Sequence, residues 1–193
     1  MRTERLGILG GTFDPVHVGH LAAASAARHH LELERVMLIV AGDPWQKHGR
    51  VVAPAEARYE MVAAAIDGVE GLEASRLELD RSGPTYTMDT VGELRAPDRE
   101  LFLIVGADVA ASIATWDRVD ELRDAVTLAV LDRAGKPAGR PPDGWRAVPV
   151  PMPRLDVSST DLRRRVATGA PVDFLVPAPA ARVLRAHGLY TAS

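Results

Sequence analysis

Four short apolar runs divide the sequence, each stopped by glycine or a charged residue: LGILGG at 6–11, RVMLIVAG at 35–42, ELFLIVGAD at 100–108 and AVTLAVLD at 125–132. Runs of this length, rich in branched residues and bounded by turn formers, predict buried strands. Between them lie stretches of helical character, VGHLAAASAARHHLEL at 18–33, PAEARYEMVAAAI at 54–66 and TYTMDTVGELR at 85–95. Pro54 stands at the first turn of the second, where its missing N–H costs nothing. LEASRLELD at 72–80 alternates like a half-exposed strand. AVPVP at 147–151, a helix from about Ser159 and a helix in PAPAARVLRAHGLY at 177–190 complete the chain. Strands alternating with helices predict an α/β fold, a Rossmann-like parallel sheet with helices on both faces and ligands at the carboxyl ends of the strands.

Length changes this picture only by bounding it: 193 residues predict one domain. Residues 1–193 are therefore read as a single domain with a small helical part from about residue 158, and RAGKPAGRPPDG at 133–144 as a loop rather than a linker. A hydrophobic share of 47% and a charged share of 25% are ordinary for a globular chain. The net charge of −3 supplies no general basic field, so no nucleic-acid partner is expected. Cysteine is absent, which excludes disulfides, thiolate nucleophiles and cysteine-based metal sites. The apolar start ends at glycine after four residues, Leu6 to Leu9, so neither export nor membrane insertion is implied and a cytoplasmic place is expected.

The chemistry gathers in GGTFDPVHVGH, residues 10–20, directly after the first predicted strand. Gly10 and Gly11 permit a sharp turn and close approach of a ligand to the backbone, and the next helix start offers unpaired N–H groups and a positive dipole end to a phosphate. His17 and His20, three apart, share a helix face. Gly19 between them removes a side chain where a ligand group approaches. Neither G-x-G-x-x-G nor G-x-x-x-x-G-K-[ST] occurs, so the phosphate grip is of another kind.

Gly10-Gly11-Thr12-Phe13-Asp14-Pro15 followed by His17-Val18-Gly19-His20 resembles the signature of the nucleotidyltransferase superfamily, and VSSTDLR at 157–163 resembles its second signature. DPWQK at 43–47, DRSGPTYTMDTV at 80–91 and GADVAASIATWDRVDEL at 106–122 resemble the bacterial nicotinate-nucleotide adenylyltransferases. That resemblance implies transfer of AMP from ATP to nicotinic acid mononucleotide, with release of pyrophosphate. It implies His17, His20, Lys47 and Arg163 as the catalytic set, and Gly10, Gly11, Thr12, Phe13, Gly19, Asp108, Ser158, Ser159 and Thr160 at ATP. It further implies Thr85 and Tyr86 as backbone donors to the nicotinate carboxylate and Trp116 against the pyridine ring. Mg²⁺ would enter with ATP, and no protein side chain is assigned to metal. Ser158 with Asp161 three residues on forms a capping-box pattern that starts a helix at the phosphates.

The residues also carry other readings. Asp14, His17 and His20 suit a hydrolytic metal site, although no third strong ligand is identified. A non-catalytic nucleotide sensor shares the fold, and nicotinamide mononucleotide or phosphopantetheine transfer shares the ATP grip. Asp14 alone reads as a turn residue. DPWQK stands where many relatives of that family carry P-P-H-K, and the 43–50 loop is expected to close on binding. Monomer and homo-oligomer both stay open.

Overall fold

Strand β1 (Glu4–Gly11) and strand β4 (Arg99–Gly106) are buried without a break through their middles, and β2 (Arg35–Val40) along all but its first residue. Continuous burial of this kind belongs to parallel strands covered on both faces. The computed structural model describes residues 3–42, 53–133 and 141–191. Lys47 and the 43–50 loop, with its expected closure, lie outside the described residues, as does most of the 133–144 loop.

With β3 (Leu72–Ser75), β5 (Thr127–Arg133) and β6 (Ala147–Met152), the strands form one six-stranded sheet of order β3-β2-β1-β4-β5-β6. The β1–β4, β4–β5 and β5–β6 pairs are parallel. This is the doubly wound order, whose direction reverses between β1 and β4, and ligands bind such sheets beyond the strand ends at that reversal. β6 carries Pro149 and Pro151, which pair in register with Val130 and Asp132. Prolines lack the donor an inner strand needs, which accounts for their place at the sheet edge.

The half-exposed strand predicted over 72–80 is shorter than its alternation suggests. Pairing stops at Ser75. Beyond it the chain folds back, with Leu79 N and Asp80 N donating to Arg76 O at 2.7 and 3.0 Å. Arg76 clamps this turn, binding Glu56 at 2.6 and 2.8 Å and Asp80 at 3.2 Å. The strand thus ends where the chain turns, whatever the period-2 pattern beyond it. Pro54 likewise sits one step earlier than predicted, as the N-cap of helix α2 (Ala55–Ile66).

The chain folds into two compact units, Met1–Gly10, Ala22–Met37 and Tyr86–Arg154 in one, Gly11–Leu21, Leu38–Thr85 and Leu155–Ser193 in the other. In the first, Glu4 joins Arg35 at 3.0 Å and Arg99 at 2.6 Å beneath the start of β1. In the second, α2 packs on helix α7 (Ala178–Ala186), where Ala180, Ala181 and Leu184 are buried. The C-terminal helices α6 (Ser159–Ala167) and α7 are therefore integral to that unit's core rather than an appendage. Among the described residues no helix is long and apolar enough to cross a membrane.

Candidate active site

The turn after β1 buries polar residues that a surface turn would leave in water. Thr12, Asp14 and His17 are 8%, 3% and 7% exposed. Phe13, with φ of 51°, folds its ring back over Gly11, where an added Cβ would stand 2.9 Å from the ring. Gly10 is exposed, and a Cβ there would meet nothing within 4 Å. The backbone beside it is open to a ligand.

Helix α1 (Val18–His30) starts immediately afterwards. The rings of His17 and His20 stack with centroids 3.7 Å apart and planes 21° apart. His20 Nδ1 accepts the His17 backbone N–H at 3.2 Å. A neutral ring accepting at Nδ1 carries its proton on Nε2. The edge of the Phe13 ring backs His20, centroids 4.9 Å apart. Gly19 also leaves room inside the protein. A Cβ there would lie 3.0 Å from His17 Nδ1 and 3.1 Å from Val157 Cγ1, so the missing side chain makes room for the His17 ring.

Asp14 is the hub of the turn. Its Oδ1 accepts from Ala53 N at 3.1 Å and from the Tyr190 hydroxyl at 2.7 Å. Its main-chain oxygen accepts from Arg163 Nη1 at 2.7 Å, with Oδ2 3.5 Å from the same nitrogen. The sequence reading of Asp14 as a turn residue alone therefore understates it. Arg58, 1% exposed on α2, donates to the carbonyls of Ala53, Thr12, Ala41 and Gly42 at 3.2, 2.8, 2.7 and 3.2 Å. Burial pulls the Arg58 guanidinium below its ordinary value, and the charge of Asp14 opposes that shift. Burial also raises the Tyr190 phenol, and its bond to Asp14 raises it further, so Tyr190 stays a donor. Neither Arg58 nor Tyr190 was singled out from sequence. Arg58 leaves one trace there, a lone cation on the buried face that Ala57, Met61 and Val62 share. Tyr190 leaves none.

Helix α6 brings the second signature to the same turn. Ser158 is its N-cap, its hydroxyl accepting from Asp161 N at 3.2 Å as the capping pattern predicts. The Asp161 carboxylate goes instead to Arg165 and Arg164, which hold it below the usual carboxylate range against the opposing effect of desolvation. Ser159 spends its hydroxyl on the Pro15 carbonyl at 3.0 Å. Thr160 is exposed and receives Arg163 Nη2 at 3.3 Å. His17, Gly19, His20, Ser158, Ser159, Thr160 and Arg163 thus surround one turn, and the starts of α1 and α6 share it.

Thr85 belongs to this same unit, buried, its methyl 3.5 Å from where a Gly42 Cβ would be. The other unit holds Gly10, Tyr86, Asp108 and Trp116. Tyr86 is the N-cap of helix α3 (Thr87–Leu94), and Asp108 is exposed in the first turn of helix α4 (Ala107–Ser112). Half-buried Trp116 closes a 3-10 turn, its N–H on Ile113 O at 3.0 Å. Two residues on, Arg118, the N-cap of helix α5 (Val119–Ala125), adopts φ of 47° and binds Asp117 and Asp89, which ties the Trp116 segment to α3. Among the described residues no group of three or more His, Cys, Asp or Glu could hold a metal ion.

The Cytidylyltransferase-like family model matches residues 8–165. A probable nicotinate-nucleotide adenylyltransferase from Saccharopolyspora erythraea is 43% identical over 98% of this chain and 91% of its own. One from Thermus thermophilus is 44% identical over 96% and 99%. Among solved structures, a Plasmodium falciparum nicotinic acid mononucleotide adenylyltransferase complexed with NaAD has a TM-score of 0.76 at 17% identity, covering 97% of each chain. A putative nicotinate-nucleotide adenylyltransferase from Vibrio parahaemolyticus has a TM-score of 0.70 at 19% identity, covering 98% of this chain and 97% of its own. The two solved structures share the fold, the match and the relatives span both signature segments, and the chain belongs to the cytidylyltransferase-like family and, within it, to the nicotinate-nucleotide adenylyltransferases.

Proposed function

We propose that this chain transfers AMP from ATP to nicotinic acid mononucleotide, giving deamido-NAD and pyrophosphate, and that the turn around Asp14 is where the triphosphate is held. The observation that carries this reading is the meeting of two helix starts at one turn, with the stacked pair His17 and His20 at the head of α1 and Arg163 seated from α6. Helix starts attract phosphate, and rigid donors already in place need no reorganisation as charge develops.

In the reaction a phosphate oxygen of the mononucleotide forms a bond to the α-phosphorus of ATP. The bond from that phosphorus to the oxygen bridging the β-phosphate breaks, and its electron pair leaves with pyrophosphate. The attacking phosphate is already an anion, so no protein nucleophile is required and positioning carries the catalysis. His17 and His20 donate to the departing oxygens, with Gly10, Gly11, Thr12, Phe13 and Gly19 lining the approach. Arg163 and Lys47 neutralise charge, and the backbone at Ser158, Ser159 and Thr160 receives the outer phosphates. Asp108 accepts from ribose hydroxyls. Thr85 and Tyr86 offer amides to the nicotinate carboxylate beside the Trp116 ring.

Mg²⁺ fits as a companion of ATP rather than a resident ion. The carboxylate in the same turn as the two histidines, Asp14, is engaged by Tyr190, Ala53 and Arg163, which leaves the ion to phosphate oxygens and water. When bound, it supplies charge neutralisation on the triphosphate. A cytoplasmic place, where ATP is at hand, goes with this reading.

The test is pyrophosphate release from ATP and Mg²⁺, with nicotinic acid mononucleotide and nicotinamide mononucleotide compared. Preference for the acid by about tenfold or more is expected, since an amide sets its own donors against backbone N–H groups at about 1–3 kcal/mol. No release with either mononucleotide overturns the reading.

A further inference from the structure

We propose that Tyr190 is a positioning residue for the ATP grip, acting through Asp14 on the turn that carries His17 and on the seating of Arg163. The inference rests on the function proposed above. Tyr190 and Asp14 are 176 residues apart in sequence, yet the phenol donates to Oδ1 at 2.7 Å with both residues buried. The same carboxylate takes Ala53 N on Oδ1 and stands 3.5 Å from Arg163 Nη1 on Oδ2, while the Asp14 carbonyl receives that nitrogen at 2.7 Å. One residue therefore converts the placement of a phenol into the placement of a guanidinium.

The geometry behind Tyr190 is built for aim. After α7 the chain wraps back, Gly188 N donating to Arg185 O and Leu189 N to Leu184 O, both at 3.1 Å. Tyr190 follows with φ of 62°, a left-handed conformation that a bulky residue keeps only where surrounding contacts impose it. Helix α7 packs on α2, and α2 carries Arg58, whose guanidinium holds the Thr12 carbonyl at 2.8 Å. The helix pair thus grips the turn twice, at the Thr12 carbonyl and at the Asp14 carboxylate. A charge-assisted bond of this kind sets direction as well as strength. A phenol that served only to fill space would need no donor, and phenylalanine would fill the same volume.

The experiment uses the full chain with Tyr190→Phe, Asp14→Asn and the double variant. For Tyr190→Phe the KM for ATP, and the Kd for Mg·ATP read by calorimetry, rise by about tenfold, the worth of one charge-assisted bond, while the KM for the mononucleotide stays within about twofold. In the double variant the two losses fall short of multiplying, because asparagine leaves the phenol only a neutral acceptor and part of its effect is already gone. Unchanged ATP affinity in Tyr190→Phe, or losses that multiply in the double variant, overturns the inference. A wild-type chain that released no pyrophosphate would refute the proposed function, and the calorimetric comparison would still decide the role of Tyr190.

Discussion

The imidazoles of His17 and His20 lie stacked, centroids 3.7 Å apart, and His20 Nδ1 at the same time accepts the backbone N–H of His17. Two histidines at this spacing are thereby one unit. His20 caps the helix start through Nδ1, and its ring stays stacked on that of His17.

The cap separates two substitutions. Asparagine at position 20 can keep an acceptor near the Nδ1 position, whereas alanine cannot. His20→Asn should lower kcat by about 10²–10³, the worth of one preorganised donor to a developing anion, with little change in Tm. His20→Ala should lose the same activity and in addition about 1 kcal/mol of stability through the lost cap. Steady-state kinetics and thermal melts of both variants check this, and His20→Asn with wild-type kcat would remove His20 from the chemistry.

Gly19→Ala tests the room left for His17. The new methyl would stand 3.0 Å from His17 Nδ1 and 3.1 Å from Val157 Cγ1, so the ring must give by a few tenths of an ångström. Activity should fall roughly tenfold through lost alignment. Stability should hardly change, because alanine gains up to about 1 kcal/mol of helix propensity over glycine against that crowding. A variant as active as the wild type would show that the ring tolerates displacement.

Arg58→Met keeps most of the side-chain volume and strips four carbonyls, those of Thr12, Ala41, Gly42 and Ala53, of a donor. It also leaves the buried Asp14 without a nearby cation on that side. A loss of about 3–5 kcal/mol is expected, as for breaking a buried charged network from one partner. Urea denaturation measures it, and a loss under about 1 kcal/mol would mean that water replaces the guanidinium.

Glu4 gives the pH dependence a definite sign. Burial raises its pKa, but the bonds to Arg99 and Arg35 outweigh it and leave the carboxyl below its ordinary 4.5. A folded value lowered in this way gives stability that is complete above about 4.5 and disappears as pH falls through the lower folded value. Glu4→Gln should therefore melt lower than the wild type at pH 7 and converge with it in acid. The triad is about one quarter exposed at Glu4 and Arg99, so the difference at neutral pH stays near 1 kcal/mol or below. A gap that is constant with pH would assign it to packing rather than charge.

Much of this molecule was legible in local windows. The apolar runs closed by glycine at 6–11, 35–42 and 100–108 became β1, β2 and β4, because burial on both faces leaves an unbroken hydrophobic signature in a few consecutive residues. The cap at Ser158 was legible for the same reason: donor and acceptor sit three residues apart. The two signatures pointed to the turn and to α6, and both arrive at the Asp14 turn.

What only the tertiary structure decided is how the far parts of the chain meet. Sequence alone placed most strands and helices to within a few residues and marked the glycine turn with its two histidines, since each depends on spacing within one or two turns, while the wider set of candidate residues came from the family resemblance. It did not determine the strand order, the early end of β3 at Ser75, or the space that Gly19 leaves beside His17. Nor did it reveal the grip of Arg58 and Tyr190 on the Asp14 turn. Those depend on side chains that topology brings together from up to 176 residues apart. A buried carboxylate accepts whichever donors the completed core delivers to it, and no periodicity along the chain records which they are.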